Sequence, residues 1–102
     1  MSARIQHVYI GESIRREAPR MLRAATRGKV PQDCWLITLA ENPGDELEII
    51  HSYFMKLELV SRKLPKIVGI AGTRGEAFDL LLEMTKDCFR ERGDACLKEY
   101  LG

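Results

Sequence analysis

The segment Lys66-Ile67-Val68-Gly69-Ile70-Ala71-Gly72-Thr73-Arg74-Gly75-Glu76-Ala77 constrains the fold of this chain more than any other stretch. It reads as a short buried strand, a tight glycine turn and the first turn of a helix. Thr73-Arg74-Gly75-Glu76 matches the capping-box pattern, with Thr73 as N-cap and Glu76 reaching back to the Thr73 N–H. A strand-to-helix turn of this kind gathers backbone N–H groups at the positive end of a helix dipole, where an anion can bind. The helix that follows carries Phe78, Leu81, Leu82, Cys88 and Phe89 as its expected apolar stripe, with Asp79, Glu83, Lys86 and Arg90 outward. Gly93 ends it, and Asp94 is the expected cap of a final short helix through Leu97, Tyr100 and Leu101.

The rest of the chain supplies elements that could flank this unit. Arg4 to Ile10 alternates apolar and polar residues, as a partly covered strand does, and Gly11 closes it. A helix fits Pro19 to Arg27, with Met21, Leu22 and Ala25 as its apolar stripe and Gly28 as its stop. Cys34 to Ala40 is nearly continuous in apolar residues and predicts a strand covered on both faces. Glu41-Asn42-Pro43-Gly44-Asp45 is dense in turn residues. Residues 46–50 fit either a strand or the start of a helix, and a helix is expected over Ser52 to Arg62. The order β-α-β-(β)α-β-α-α predicts a single α/β domain: a small, mainly parallel sheet of three to four strands, with mixed pairing as the variant, and helices packed on it.

Size and charge limit the functions open to such a domain. A chain of 102 residues buries about two-thirds of the surface it exposes when unfolded, so self-association, most simply a homodimer, is expected to supplement its core. The net charge is +1, which provides no overall field for nucleic acid or a membrane. Charge is nevertheless uneven, with seven Arg/Lys against two acids over residues 1–29 and nine against thirteen over the remainder. No apolar run is long enough to span a bilayer, and no signal-peptide core is present at the N-terminus. Three cysteines without framework spacing argue for a reducing, cytoplasmic setting.

Candidate chemistry is sparse. Gly69, Gly72 and Gly75 form G-x-x-G-x-x-G, which is neither the dinucleotide fingerprint nor the P-loop, and no Lys-Ser or Lys-Thr follows. Gly69 falls within the strand, where close packing is the favoured reason for it. Arg74 and the amides around Gly75 are suited to a phosphate or carboxylate, although a purely structural turn explains the same residues. Arg16, Arg20, Arg23 and Arg27 fall on one helical row that could follow a nucleic-acid backbone. Pro19 interrupts the start of that row and no aromatic residue is interleaved, so a solvated face is the favoured reading.

Cys34 and Cys88 have the surroundings of core residues, and Cys96 is the one expected nearest the surface. His7 and His51 lack ligand spacing, so no metal site is expected. Carboxylates cluster at Glu41, Asp45, Glu46 and Glu48. In a parallel sheet the loops after the strands would converge at one edge. That edge would gather Glu12, Ser13, Glu41, Asn42, Thr73 and Arg74. The tentative ligand site is accordingly Gly72, Thr73, Arg74, Gly75, Glu12 and Asn42, with a small anion as its ligand. No residue is assigned a catalytic role, no cofactor is specified, and the sequence does not decide whether the chain is an enzyme. The leading expectation is a non-catalytic binding or interaction module, followed by an anion-binding protein and then by weak nucleic-acid binding.

Overall fold

A computed structural model of the protein describes residues 3–5, 8–26, 33–40, 44–53 and 66–102. The strands are β1 (Ala3–Ile5), β2 (Val8–Ile10), β3 (Trp35–Leu39), β4 (Leu47–His51) and β5 (Ile67–Ala71). A 3-10 turn spans Glu12–Ile14, and the helices are α1 (Ala18–Thr26), α2 (Arg74–Arg92) and α3 (Leu97–Leu101). The sheet order is β1-β2-β5-β3-β4.

The α/β class is as expected, but the sheet is mixed and mostly antiparallel. β2 pairs with β5 in parallel, whereas β1–β2, β3–β5 and β3–β4 are antiparallel. Connection length is one reason. The seven residues between β3 and β4 are too few for the crossover that parallel neighbours need, so β4 folds straight back onto β3. Residues 46–50 thus belong mainly to a strand, which is the optional strand of the expected order. The single expected strand Arg4–Ile10 divides into the two short strands β1 and β2. The helix expected over Ser52 to Arg62 lies almost wholly outside the described residues.

Alternation along the strands divides the core between the two faces of the sheet. Ile10, Leu36 and Ile70 join Cys34, Ile14 and α1 residues Ala18 and Met21 in one cluster. Tyr9, Ile37 and Ala71 join α2 residues Ala77, Leu80, Met84 and Cys88, and Leu97 of α3, in the other. β3 is therefore covered on both sides, as its apolar run predicts. Ile37 lies opposite Gly69 but Thr38 lies opposite Ile67, so Val68 is the extra residue of a β-bulge. Val68 consequently joins the same cluster as Tyr9 and Ile37. A Cβ on Gly69 would come within 2.8 Å of Met84 Cε and 3.0 Å of Ile37 Cδ1, so this glycine lets α2 lie close to the strand.

α2 begins and ends where the sequence indicates. Thr73 Oγ1 accepts a hydrogen bond from the Glu76 N–H at 3.1 Å. Gly93 adopts φ 79° at the C-cap, and its N–H donates to Phe89 O. The buried stripe is different, however. Ala77, Leu80, Met84 and Cys88 face the sheet, Leu81 packs at the margin, and Phe78, Leu82 and Phe89 are 48%, 55% and 63% exposed. Packing against Gly69 selects the row with the small Ala77 and the adaptable Met84 and leaves the bulkier row outside. Asp94 also departs from its expected role. Its Oδ1 accepts from the Cys96 N–H at 3.1 Å, one residue before α3 begins, while Arg92 bridges Asp94 and Glu99.

Candidate functional site

The parallel β2–β5 pair places two strand C-termini at one edge, with Ile10 directly opposite Ile70. The Gly11 N–H continues the ladder to Ile70 O at 2.8 Å. From there one chain segment turns into Glu12–Ile14 and the other through Gly72 and Thr73 into α2. Two of the three loops expected to converge therefore do so. The third leaves from the opposite edge: β3 runs antiparallel to β5, and the Leu39 N–H donates to Lys66 O, just before β5. Asn42 and Glu41 themselves lie outside the described residues.

Glu76 occupies the crevice between the two converging turns. Its Oε1 accepts from the Gly72 N–H at 2.9 Å and from the Ser13 hydroxyl at 2.8 Å, and its Oε2 accepts from the Ser13 N–H at 3.1 Å. The expected bond to Thr73 N–H is replaced by these three, which join α2 to the turn after β2. Burial alone would raise the Glu76 pKa. The bonds from Gly72 and Ser13 outweigh it and hold the carboxyl below the ordinary glutamate range. The two glycines beside it are needed for space. A Cβ on Gly11 would overlap the Glu76 carboxylate, and one on Gly72 would overlap Ser13 Oγ and Ile14.

This arrangement is poor equipment for catalysis. A carboxylate with a lowered pKa and three donors is a weak base, and the Ser13 hydroxyl spends its proton on it. The other site residues are turned elsewhere or open to solvent. Glu12 is exposed, 4.0 Å from Arg15. Arg74 is exposed, and its guanidinium stacks 5.5 Å from the centre of the Phe78 ring, along the helix rather than over the crevice. Gly75 is exposed and a Cβ there would meet nothing within 4 Å. The N–H groups of Arg74 and Gly75 have no acceptor among the described residues, as is usual in the first turn of a helix.

The remaining titratable groups have structural surroundings. Burial pushes the Cys34 thiol up to about 11, against a lowering bond from Ser52 and with Asp33 adding to the rise. Burial and then the charge of Asp94 raise Cys88, while for Cys96 the Asp94 charge comes first. Each thiol is therefore held toward its protonated form. His51 pairs through Nε2 with Asp33, accepts the Tyr53 N–H on Nδ1 and meets the Trp35 ring edge-on at 4.9 Å. Buried Tyr9 donates its hydroxyl to Asp87 at 2.5 Å, a partner not evident in the sequence. Among the described residues no cluster of His, Cys, Asp and Glu could hold a metal ion, and no helix is long and apolar enough to cross a membrane.

A second feature lies on the outside of α2. Phe78, Leu82, Thr85 and Phe89 follow one another at i, i+4, i+7 and i+11, which makes a single line along the helix. The Thr85 hydroxyl donates to Leu81 O at 2.8 Å, so the line is interrupted by a hydroxyl that already has its acceptor. Phe78, Leu82 and Phe89 belong to the stripe expected from the sequence, whereas Cys88 alone of that stripe is buried against the sheet. No protein family, characterised protein or solved structure matches the chain.

Proposed function

We propose that the protein is a non-catalytic interaction module that binds a protein partner through the outer face of α2. The observation that carries this reading is the line of Phe78, Leu82 and Phe89, each about half exposed or more on a regular helix. Single exposed apolar residues are ordinary, but three large ones aligned on a rigid element form a helix-sized contact strip. The internally paired crevice supports the non-catalytic part, and the free cysteines suit a cytoplasmic location.

The test is affinity enrichment with tagged wild type and tagged Leu82→Glu as baits. The reading expects at least one protein, this chain itself included, to be retained by wild type and lost with the variant. Identical recoveries would defeat it, as would turnover in a hydrolase and transferase panel that is abolished by Arg74→Ala or Glu76→Ala.

A second reading, a small phosphorylated or carboxylated ligand at Gly72–Gly75, draws on the unbonded N–H groups of Arg74 and Gly75. The Glu76 carboxylate opposes it, because that charge already takes the Gly72 N–H and repels a second anion. A thermal shift with phosphate compounds that vanishes in Arg74→Ala would favour it. The nucleic-acid reading has less support. Arg16, Arg20 and Arg23 are exposed, but Arg16 precedes α1 and Arg27 lies outside the described residues.

A further inference from the structure

We infer that the partner of the α2 face is a second copy of this chain, docked helix to helix and antiparallel across a two-fold axis. The inference rests on the α2 face being the interaction surface, and the charges beside the apolar line carry it further. Asp79, Glu83, Lys86 and Arg90 form a second line with the same intervals, one residue on from Phe78, Leu82, Thr85 and Phe89. Asp79, Lys86 and Arg90 are exposed, Glu83 is half-buried, and Arg90 also reaches Asp87 of its own helix at 2.7 Å. Both acids stand in the N-terminal half of this line and both bases in the C-terminal half.

That order is self-complementary only when one copy is reversed. In a parallel two-fold pair the charged line, about 100° around the helix from the apolar one, falls on the opposite flank from its copy, so its acids and bases do not meet. In the reversed pair Asp79 and Glu83 lie toward Arg90 and Lys86 of the second copy. The same axis serves the apolar line, placing Phe78 toward Phe89 of the second copy and Leu82 toward its Thr85. The midpoints of the two lines differ by a single residue. An isologous two-fold interface requires this kind of symmetry. Acids early and bases late also suit the dipole of a lone helix. The dipole, however, gives no reason for three large apolar side chains to stand in solvent next to those charges.

Size sets the expected strength. Phe78 and Phe89, from the aromatic class burying roughly 150–250 Å², and the smaller Leu82 are each about half exposed or more and together offer roughly 300 Å² per copy. With the flanking charged stems, the total for two copies approaches about 1,000 Å², the range of weak and transient interfaces. A dimer with Kd on the order of 10 µM is therefore expected, weakening with salt because its charge pairs sit at the rim.

Sedimentation equilibrium of the full chain at low salt reads the prediction. Wild type should convert from monomer to dimer over the micromolar range. Asp79→Lys with Glu83→Lys should weaken dimerisation at least about tenfold by setting base against base. Reversing all four charges, by adding Lys86→Glu and Arg90→Glu, should restore it. If that variant does not fold, the two double variants take its place: each alone should dimerise at least about tenfold more weakly than wild type, and their mixture should associate more tightly than either. Monomeric wild type up to roughly 500 µM would overturn the inference. So would undiminished dimerisation of Asp79→Lys/Glu83→Lys, or failure of the folded fourfold variant and of the mixture to associate. If wild type is monomeric yet the Leu82→Glu bait loses a different protein, the pairing fails while the interaction-module reading stands.

Discussion

The crevice between β2 and β5 and the outer face of α2 meet at the first turn of the same helix, yet they are finished in opposite ways. In the crevice every polar contact closes inward: Glu76 takes the Gly72 N–H and both donors of Ser13. On the outer face Phe78, Leu82 and Phe89 remain about half exposed or more. A region rich in glycine and charge near a helix N-terminus resembles a binding site, but its carboxylate and the Gly72 and Ser13 donors have already bound one another. The region that reads as core pattern in the sequence is the one left without a partner in the fold. Unsatisfied surface, rather than polar composition, is the ground for proposing where this molecule acts.

That contrast can be broken at the crevice first, where the largest effects are expected. Gly72→Ala must displace Ser13 or Ile14 and should lower the unfolding free energy by about 1–3 kcal/mol in urea denaturation. An unchanged midpoint would mean that the turn is looser than described. Next is Glu76→Ala, which removes the acceptor shared by Gly72 and Ser13. The loss should be about 1–2 kcal/mol at neutral pH, the lower part of the range for bonds to a charged group, because Ser13 can turn to water.

The pH dependence of that loss is a sharper test. Hydrogen bonds hold the folded-state pKa of Glu76 below its unfolded value, so its contribution is complete above the ordinary glutamate pKa of about 4.3. It fades as pH falls below that value and through the folded-state pKa. Wild type and Glu76→Ala should therefore differ constantly in stability from neutral pH to about pH 5 and converge in stronger acid. A gap that widened on acidification would contradict the assignment. The smallest expected effect is on the outer face. Phe89→Ser should change the stability of the monomer by less than about 0.5 kcal/mol in thermal or urea unfolding. A large loss would show that this face is part of the core after all.

The sequence was most legible where structure is decided locally. Thr73 at the N-cap and Gly93 at the C-cap act within one helical turn, and the apolar run of β3 needs only to be covered on both sides. It was least legible where distant parts choose one another. Whether β3 runs with or against β5 depends on pairings across the sheet, and the antiparallel choice carries the end of β3 to the edge away from Gly72. Glu76 has the spacing of a capping box, but its decisive partner Ser13 lies 63 residues away. α2 carries two apolar rows, and periodicity alone does not say which one meets the sheet. The bulge at Val68 and the close approach of Met84 that Gly69 allows decide that, and neither strand residue belongs to the helix.

Association with another copy through Phe78, Leu82 and Phe89 is a property of the wild-type surface that a single substitution should remove. Sedimentation velocity of wild type and Leu82→Glu, run side by side from roughly 1 to 500 µM, tests it most directly. Wild type should shift from monomer toward dimer as concentration rises. Leu82→Glu should remain monomeric with an unchanged melting temperature. Superimposable profiles for the two proteins at every concentration would contradict the account.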